Sequence, residues 1–270
     1  MLGAIIGDIV GSRFEWHNHK DKHFELFTND CRMTDDSIMT FAVAKSLLET
    51  GKVSERGNND YYPLLARRSV TYMQAFGRRY PDCGFSGAFF QWIVSDNPQP
   101  YNSFGNGAAM RISPVAYAAE SEDEVRLLSA AVTGVSHNHE EGLKGAEATA
   151  IATYLASCGS SKIEIRTKME DEYYPLDFNL DEIRDFYGFT TACQATVPQA
   201  IVAFLESTSF EDAIRNAISI GGDSDTLAAI AGAIAEAYYG IPERIKQQAL
   251  PYFDAEQLTV YQEWVRFTRN

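Results

Sequence analysis

Two short acidic segments carry the residue types from which this chain could build a metal site. One is Thr34-Asp35-Asp36, and the other is Asp223-Ser224-Asp225-Thr226, which follows two glycines and precedes an apolar run. Carboxylates at the mouth of a buried helix must be paired or must bind a cation, because an isolated buried charge is very costly. Helix capping explains one aspartate at each helix start. It does not explain two aspartates and a threonine at both.

The donor types select the metal. Carboxylate and hydroxyl oxygens suit Mg²⁺ or Mn²⁺ rather than Zn²⁺. Four carboxylates brought together would repel one another unless cations lay between them. The sequence therefore predicts that residues 34–36 and 223–226 converge in space around hard divalent ions.

Both segments are expected to begin helices. Thr34 or Asp35 caps a predicted helix over 34–51, and Gly51 suits the position just past its end. The apolar run after the second segment predicts a helix over 226–239.

A glycine stripe marks the first predicted helix, over 2–12. Glycines recur at i, i+4 and i+8 on one of its faces: Gly3, Gly7 and Gly11. Glycine weakens an isolated helix, so this placement implies that another backbone passes very close. The helix over 226–239 carries a complementary stripe of small residues that includes Ala228 and Gly232. If the two helices cross, Asp8 would lie near the 223–226 turn.

The remaining pattern is mainly helical. Further helices are predicted over 61–79, 108–119, 121–134, 142–159, 180–187, 198–207, 209–219 and 255–267, and 85–94 is a shorter aromatic-rich segment. Segment 162–178 differs, because its weak alternation of charged and apolar residues predicts a short pair of strands. No linker or internal repeat divides the chain. The sequence therefore predicts a single all-α domain over 1–270, with a minor β excursion at 162–178.

Composition narrows the function classes. The 270-residue chain has a net charge of −14, which disfavours nucleic acid and anionic membranes as partners. It has no run of about 18 apolar residues that could span a membrane. The apolar N-terminus lacks a basic start and meets Asp8 early, so we expect no signal peptide. Four scattered cysteines predict free thiols in a reducing cytoplasm.

Five segments in order resemble the motifs of the ADP-ribosylglycohydrolase family. They are GAIIGDIVGSRFE, MTDDS, SFGNGAAMRISP, VSHNHEEGLKGAEA and IGGDSDTLAAIAGAIAEAYYG, and they cover both ends and the middle of the chain. The resemblance implies an all-α fold with two Mg²⁺ ions, for which Mn²⁺ could substitute. It also implies a hydrolase that releases ADP-ribose from an N- or O-glycosidic bond to a protein side chain or a small molecule.

The same resemblance implies roles for individual residues. The implied metal ligands are Thr34, Asp35, Asp36, Asp223, Asp225 and Thr226. The implied substrate-binding residues are Ser103, Gly105, Asn106, Gly107, Met110 and His137. Asp35 or Asp36 would orient the attacking water, and Glu15 would assist at the leaving group. Residue type alone would make Glu15 a surface residue after a helix end.

Segment 103–111 is suited to phosphate. Its glycines let backbone amides approach oxygens, and a helix that starts near Ala108 would present its N-terminus. Arg111 would either add positive charge there or form a buried salt bridge beside the metal carboxylates. Four aromatic residues near the expected mouth of the site could stack on adenine: Phe14, Trp16, Tyr101 and Phe104.

Two other functions share these features. One is a structural relative of eye-lens crystallin type, and the other is a metal-dependent nucleotide phosphohydrolase. The sequence does not select the acceptor among arginine, serine, O-acetyl-ADP-ribose, a nucleic-acid base and a guanidine compound. We expect a monomer.

Overall fold

Helices form almost all of the regular structure. The computed structural model describes residues 1–55, 58 and 60–268, so the last two residues of the predicted 1–270 domain lie outside it. The helices are α1 Leu2–Gly11, α2 Asp35–Gly51, α3 Tyr61–Arg79, α4 Gly87–Val94, α5 Gly107–Met110, α6 Ser113–Ala118, α7 Glu122–Thr133, α8 Glu140–Ser157, α9 Lys162–Glu172, α10 Leu180–Ile183, α11 Val197–Leu205, α12 Phe210–Ile218, α13 Ser224–Tyr239, α14 Glu243–Ala249 and α15 Ala255–Phe267. The described backbone pairing outside helices includes one isolated antiparallel bridge, between Gly105 and Ala192. The predicted all-α class is confirmed.

The pair α1 and α13 forms the centre of the fold. Every residue of α1 is buried, and its glycines lie directly against the backbone of α13. A Cβ added at Gly3 would lie 2.2 Å from the carbonyl oxygen of Gly232, and one at Gly7 would lie 2.0 Å from that of Ala228. The predicted complement of small residues is confirmed. It places the end of α1 beside the start of α13.

The other helices surround this pair. Helices α8, α11 and α12 pack on α13, while α2 packs between α3 and α15 and also contacts α1. One apolar core runs through these helices. Among the described helices, none combines the length and apolar character needed to cross a membrane. All four cysteines are free thiols, as predicted.

Segment 162–178 is not a strand pair, so that prediction is wrong. Its first part forms α9, which begins with a reciprocal capping box between Ser161 and Glu164. Ile165 and Met169 lie four residues apart on the buried face. Ion pairs at i,i+4 support the exposed face: Arg166–Glu170 and Lys168–Glu172. Capping and these pairs decide the structure where the apolar periodicity is weak.

Two smaller predictions also need correction. The helix predicted over 108–119 is divided into α5 and α6 around Arg111. Pro114 follows closely, and a proline there has no amide to continue the first helix. Gly51 is the last residue of α2 rather than a left-handed residue after it.

Candidate active site

A cavity of about 350 Å³ collects the residues in which the sequence predicted chemistry. Twelve predicted site residues line it: Glu15, Asp35, Asp36, Ser103, Gly105, Asn106, Gly107, Met110, His137, Asp223, Asp225 and Thr226. Thr34 lies behind this wall, buried at the N-cap of α2. The cavity therefore joins segments that are almost 200 residues apart in the chain.

The two acidic helix starts meet in this cavity. The hydroxyl of Thr226 donates to Asp36 Oδ2 at 3.4 Å, which directly connects the first turns of α2 and α13. This contact confirms the predicted convergence of residues 34–36 and 223–226. The close packing of α1 on α13 makes it possible, because α2 lies against α1.

Asp8 holds the first turn of α2 in place through hydrogen bonds. Its carboxylate accepts hydrogen bonds from the Thr34 amide at 3.0 Å and the Thr34 hydroxyl at 2.6 Å. It also accepts from the amide of Ser37 at 3.1 Å and from the Ser37 hydroxyl. These four bonds hold the turn that carries Asp35 and Asp36. Asp8 lies one residue after a glycine of the close helix crossing, so that packing sets its position.

A second set of carboxylates faces the first. One oxygen each from Glu15, Asp223 and Asp225 lie within 4.8 Å of one another. Asn106 donates to Asp223 Oδ2 at 2.7 Å. Asp36 Oδ1 is buried without a hydrogen-bond partner among the described residues. An orphaned carboxylate oxygen beside an all-oxygen donor set fits a hard divalent cation.

The electrostatics of the cavity also call for cations. Burial, and then repulsion from Asp225, raises the pKa of Glu15 to about 7. Burial raises the pKa of Asp223 to about 6. Burial and neighbouring carboxylates raise the pKa values of Asp35 and Asp36 in the same way. Within the described ranges, no Lys, Arg or His nitrogen lies within 4.0 Å of these carboxylates. The described residues thus supply no ion pair to them, and Arg32 acts on Glu15 only from beyond that distance.

The opposite wall is a turn pinned by its neighbours. The amide of Asn106 donates to Thr191 O at 2.7 Å, and the amide of Cys193 donates to Phe104 O at 3.0 Å. The glycines on either side of Asn106 let the backbone approach the His137 ring, because a Cβ at Gly107 would lie 3.3 Å from His137 Nε2. Helix α5 begins here but has only four residues, so the predicted contribution of a helix N-terminus is small.

Comparisons with known proteins decide the family. A model of the family described as ADP-ribosylglycohydrolase matches residues 1–266. The chain belongs to the ADP-ribosylglycohydrolase family.

Relatives of this chain agree with that membership. Human ADP-ribosylhydrolase ARH3 is 27% identical, covering 96% of this chain and 90% of the relative. ADP-ribosylarginine hydrolase Tri1 of Pseudomonas putida (strain GB-1) is 26% identical, covering 92% and 73%. A solved structure titled ADP-ribosylglycohydrolase-related protein complex superposes with a TM-score of 0.69 at 22% identity, covering 99% of this chain and 95% of that chain. That similarity shows the shared fold.

Arg111 does not form the salt bridge that was one of its two predicted roles. The side chain is fully buried, and its Nη2 donates to Ser136 Oγ at 2.8 Å. Its guanidinium lies 5.2 Å from the centroid of the Phe89 ring. Burial lowers its pKa to about 10. The side chain lines the cavity and reaches the loop between α7 and α8, where it contacts Ser136 and His137.

The four aromatic residues predicted near the mouth of the site lie in different surroundings in the structure. Trp16 lines the cavity, and Tyr101 lies with its ring centroid 5.8 Å from that of His137. Phe104 is half exposed against His139, and Phe14 packs on His19. Trp16 thus lines the cavity itself, and Tyr101 packs against His137, which lines it.

Phe189 was missed by the sequence analysis. It lines the cavity and stacks on Trp16 with ring centroids 5.0 Å apart. Both rings are largely exposed, at 70% for Trp16 and 49% for Phe189. We call them the mouth pair. Phe189 is one of several aromatic residues in the segment 185–189, and nothing in the sequence distinguishes it from its neighbours.

Lys20 and Asn18 were also missed. Lys20 Nζ donates to Tyr187 O at 2.5 Å and to Ile220 O at 2.6 Å. Asn18 Oδ1 accepts from the amide of Gly222 at 3.1 Å. These bonds fasten the glycine turn before Asp223 to the loop that carries Glu15. The HNHKDKH run at 17–23 stands out in the sequence, but its partners are about 200 residues away.

Proposed function

We propose that this protein is a divalent-metal-dependent hydrolase that cleaves the N- or O-glycosidic bond between ADP-ribose and an acceptor and releases ADP-ribose. The assembly of two acidic helix starts and Glu15 around one cavity carries the proposal. Family membership, together with the ADP-ribosylhydrolase and ADP-ribosylarginine hydrolase relatives, supports the ADP-ribosyl part of it. The acceptor is a protein side chain or a small molecule.

The acidic residues would hold two Mg²⁺ ions, with Mn²⁺ as a substitute. The proposed ligands are Thr34, Asp35, Asp36, Asp223, Asp225 and Thr226. The hydroxyl proton of Thr34 goes to Asp8, which leaves an oxygen lone pair for a cation. The orphaned oxygen of Asp36 supports the same assignment. When bound, such ions polarise ligand oxygens and lower the pKa of a coordinated water.

Two carboxylates do the proton chemistry in this proposal. Asp35 or Asp36 orients the attacking water and accepts its proton. Glu15 donates a proton to the departing acceptor atom. Glu15 is half-buried at the cavity wall, and its pKa near 7 allows it to give and take a proton at neutral pH. The bond from C1″ of the ribose to the acceptor breaks as the bond to water oxygen forms, as in other glycoside hydrolyses.

The turn at residues 105–107 would hold the rest of the substrate. Its proposed binding residues are Ser103, Gly105, Asn106, Gly107, Met110 and His137, and all of them line the cavity. In a protein with a net charge of −14, backbone amides and metal ions are the available means of binding a diphosphate.

A panel of ADP-ribosylated acceptors tests the function. The protein is incubated with ADP-ribosyl-arginine peptide, ADP-ribosyl-serine peptide and O-acetyl-ADP-ribose in Mg²⁺ buffer, and released ADP-ribose is quantified by chromatography. Asp36→Ala and Asp225→Ala should each reduce release at least about a thousandfold, with unchanged circular dichroism. Asp181→Ala is the matched control, because that side chain is 87% exposed outside the cavity.

Three outcomes would reject the proposal. Full release of ADP-ribose in chelator by wild type and both variants would exclude the metal mechanism. Failure to bind Mg²⁺ at millimolar concentration would favour a structural protein of crystallin type. Release of AMP and ribose phosphate in place of ADP-ribose would favour a phosphohydrolase.

A further inference from the structure

His137 contacts the ligand cavity with one ring nitrogen and a buried polar pair with the other. Its Nδ1 lies 2.8 Å from Ser136 Oγ and 3.3 Å from Arg111 Nη2. Its Nε2 lies on the side of the glycine turn, since a Cβ added at Gly107 would lie 3.3 Å from it and one at Gly105 3.7 Å. Within the described part of the chain, no residue forms a hydrogen bond with Nε2.

The donors around Nδ1 determine where the ring proton resides. A guanidinium has five N–H donors and no acceptor, so Arg111 can only donate. Its Nη2 donates to Ser136 Oγ at 2.8 Å, which leaves the Ser136 hydroxyl proton available for donation to His137 Nδ1, 2.8 Å away. In the arrangement that satisfies all three groups, Arg111 and Ser136 both donate to Nδ1, which accepts with its lone pair. The ring proton is then on Nε2.

The charge of the surroundings keeps the ring neutral. His137 is 4% exposed, and burial together with the Arg111 charge lowers its pKa. The rings of Phe89 and Tyr101 lie with their centroids 5.9 Å and 5.8 Å from that of His137 and fix its orientation. A neutral imidazole held in this way is a fixed N–H donor rather than an acid or a base.

We propose that Arg111 is a positioning residue that, through Ser136, holds His137 in the Nε2-protonated tautomer and aims this N–H at an acceptor oxygen of bound ADP-ribose. The inference rests on the proposed function for the identity of the ligand. The proposal gives a role to the buried guanidinium of Arg111, which pairs with none of the described carboxylates. It also predicts that the cavity selects an oxygen acceptor, not a donor, at this position.

Nuclear magnetic resonance reads the tautomer without any turnover. Long-range proton–nitrogen correlation spectra of the ¹⁵N-labelled protein, at mildly alkaline pH, show which ring nitrogen carries hydrogen. His139 is an internal standard, because its Nδ1 accepts the Glu141 amide at 3.1 Å. Signals absent from His137→Gln belong to His137. We expect a protonated Nε2 and a bare Nδ1, whereas a protonated Nδ1 in wild type overturns the proposal.

Variants test the positioning step. Ser136→Ala removes the hydroxyl donor to Nδ1 and should give a mixture of tautomers, while the fold is checked by circular dichroism. Arg111→Met, if it folds, should do the same. A single unchanged tautomer in Ser136→Ala and in folded Arg111→Met would show that these residues do not set it.

Calorimetry with ADP-ribose tests the donor. The glutamine amide nitrogen can take the place of Nε2, whereas the shorter asparagine cannot reach it. His137→Gln should therefore bind ADP-ribose about tenfold more tightly than His137→Asn, as expected for one hydrogen bond to a charged or polar oxygen. His139→Asn is the matched control and should bind as wild type does. Equal affinities of the two His137 variants would contradict the inference, even if the protein hydrolyses ADP-ribosyl bonds.

Discussion

Replacing Gly7 by alanine should disrupt both the helix pair and the acidic centre. A Cβ at Gly7 would lie 2.0 Å from Ala228 O, 2.3 Å from Ala228 C and 2.6 Å from Ala229 N. Ordinary contact begins at 3.4 Å, so the shortest distance falls short by 1.4 Å (3.4 minus 2.0). All three atoms belong to the backbone of a buried helix, so no side-chain rotation can relieve the clash. Helices α1 and α13 must move apart.

The size of the effect follows from two opposing contributions. Alanine is the better helix former by about 1 kcal/mol. Overpacking of a rigid core costs about 1–3 kcal/mol or more, and backbone clashes fall at the upper end. We expect a net loss of about 2 kcal/mol, which lowers the thermal midpoint by about 5 °C. A shift of about 1 Å also exceeds the roughly 0.5 Å tolerance of a functional constellation, so Mn²⁺ affinity should fall at least about tenfold.

Thermal melts by circular dichroism and Mn²⁺ titration by calorimetry measure the two effects. Gly51→Ala is the matched control, because its nearest neighbour would be a side-chain carbon at 3.8 Å. That control should keep the wild-type midpoint to within about 2 °C. If Gly7→Ala retained both the midpoint and the Mn²⁺ affinity of wild type, close packing of these helices would not position the site.

Three further outcomes are expected. In chelator, the thermal midpoint should rise as pH falls from about 7 to about 5, because raised folded-state pKa values of Asp223 and Glu15, near 6 and 7, mean that the folded chain binds more protons than the unfolded chain. The stability that these two carboxyl groups contribute is complete below their ordinary pKa values of 3.8 and 4.5 and is lost as pH rises through their folded-state pKa values. Saturating Mg²⁺ should remove this pH dependence. A midpoint that falls on acidification would contradict the reasoning. Lys20→Met should weaken Mn²⁺ binding about tenfold at unchanged helicity, because it frees the turn before Asp223. Lys22→Met removes an equal charge from an ion pair outside the cavity and should keep the wild-type affinity. Equal Mn²⁺ affinities of the two variants would refute the role of Lys20. Titration with ADP-ribose should change the fluorescence of Trp16, the 70% exposed member of the mouth pair, and a Trp16→Phe variant should lose that change; a signal that persists in the variant would place the ligand elsewhere.

Local signals explain most of what the sequence predicted correctly. The capping pattern at Thr34 and the apolar run after Asp225 located α2 and α13 to within about two residues, as expected for such boundaries. Those signals extend over a few residues, so the sequence contains them in full. The strand prediction for segment 162–178 was wrong because its apolar periodicity is weak and the capping box at Ser161 was not recognised.

The acidic centre was predictable because its residues are unusual in kind. Two aspartates and a threonine at two helix starts exceed what capping needs, and the glycine stripe of α1 predicted a closely packed partner helix. Asp8 was placed near the site by that stripe, but its four hydrogen bonds to the first acidic turn required coordinates.

By itself, the sequence predicted the helical class, most helix positions, a close backbone partner for α1 and the convergence of the two acidic helix starts. Only the tertiary structure decided that Arg111 turns towards Ser136, that Lys20 fastens a turn 200 residues away, and that Glu15 has a pKa near neutrality. The physical reason is range. Helix formation and capping depend on neighbours within one or two turns, whereas side-chain direction, burial and charge repulsion depend on whichever distant segments the packing brings together.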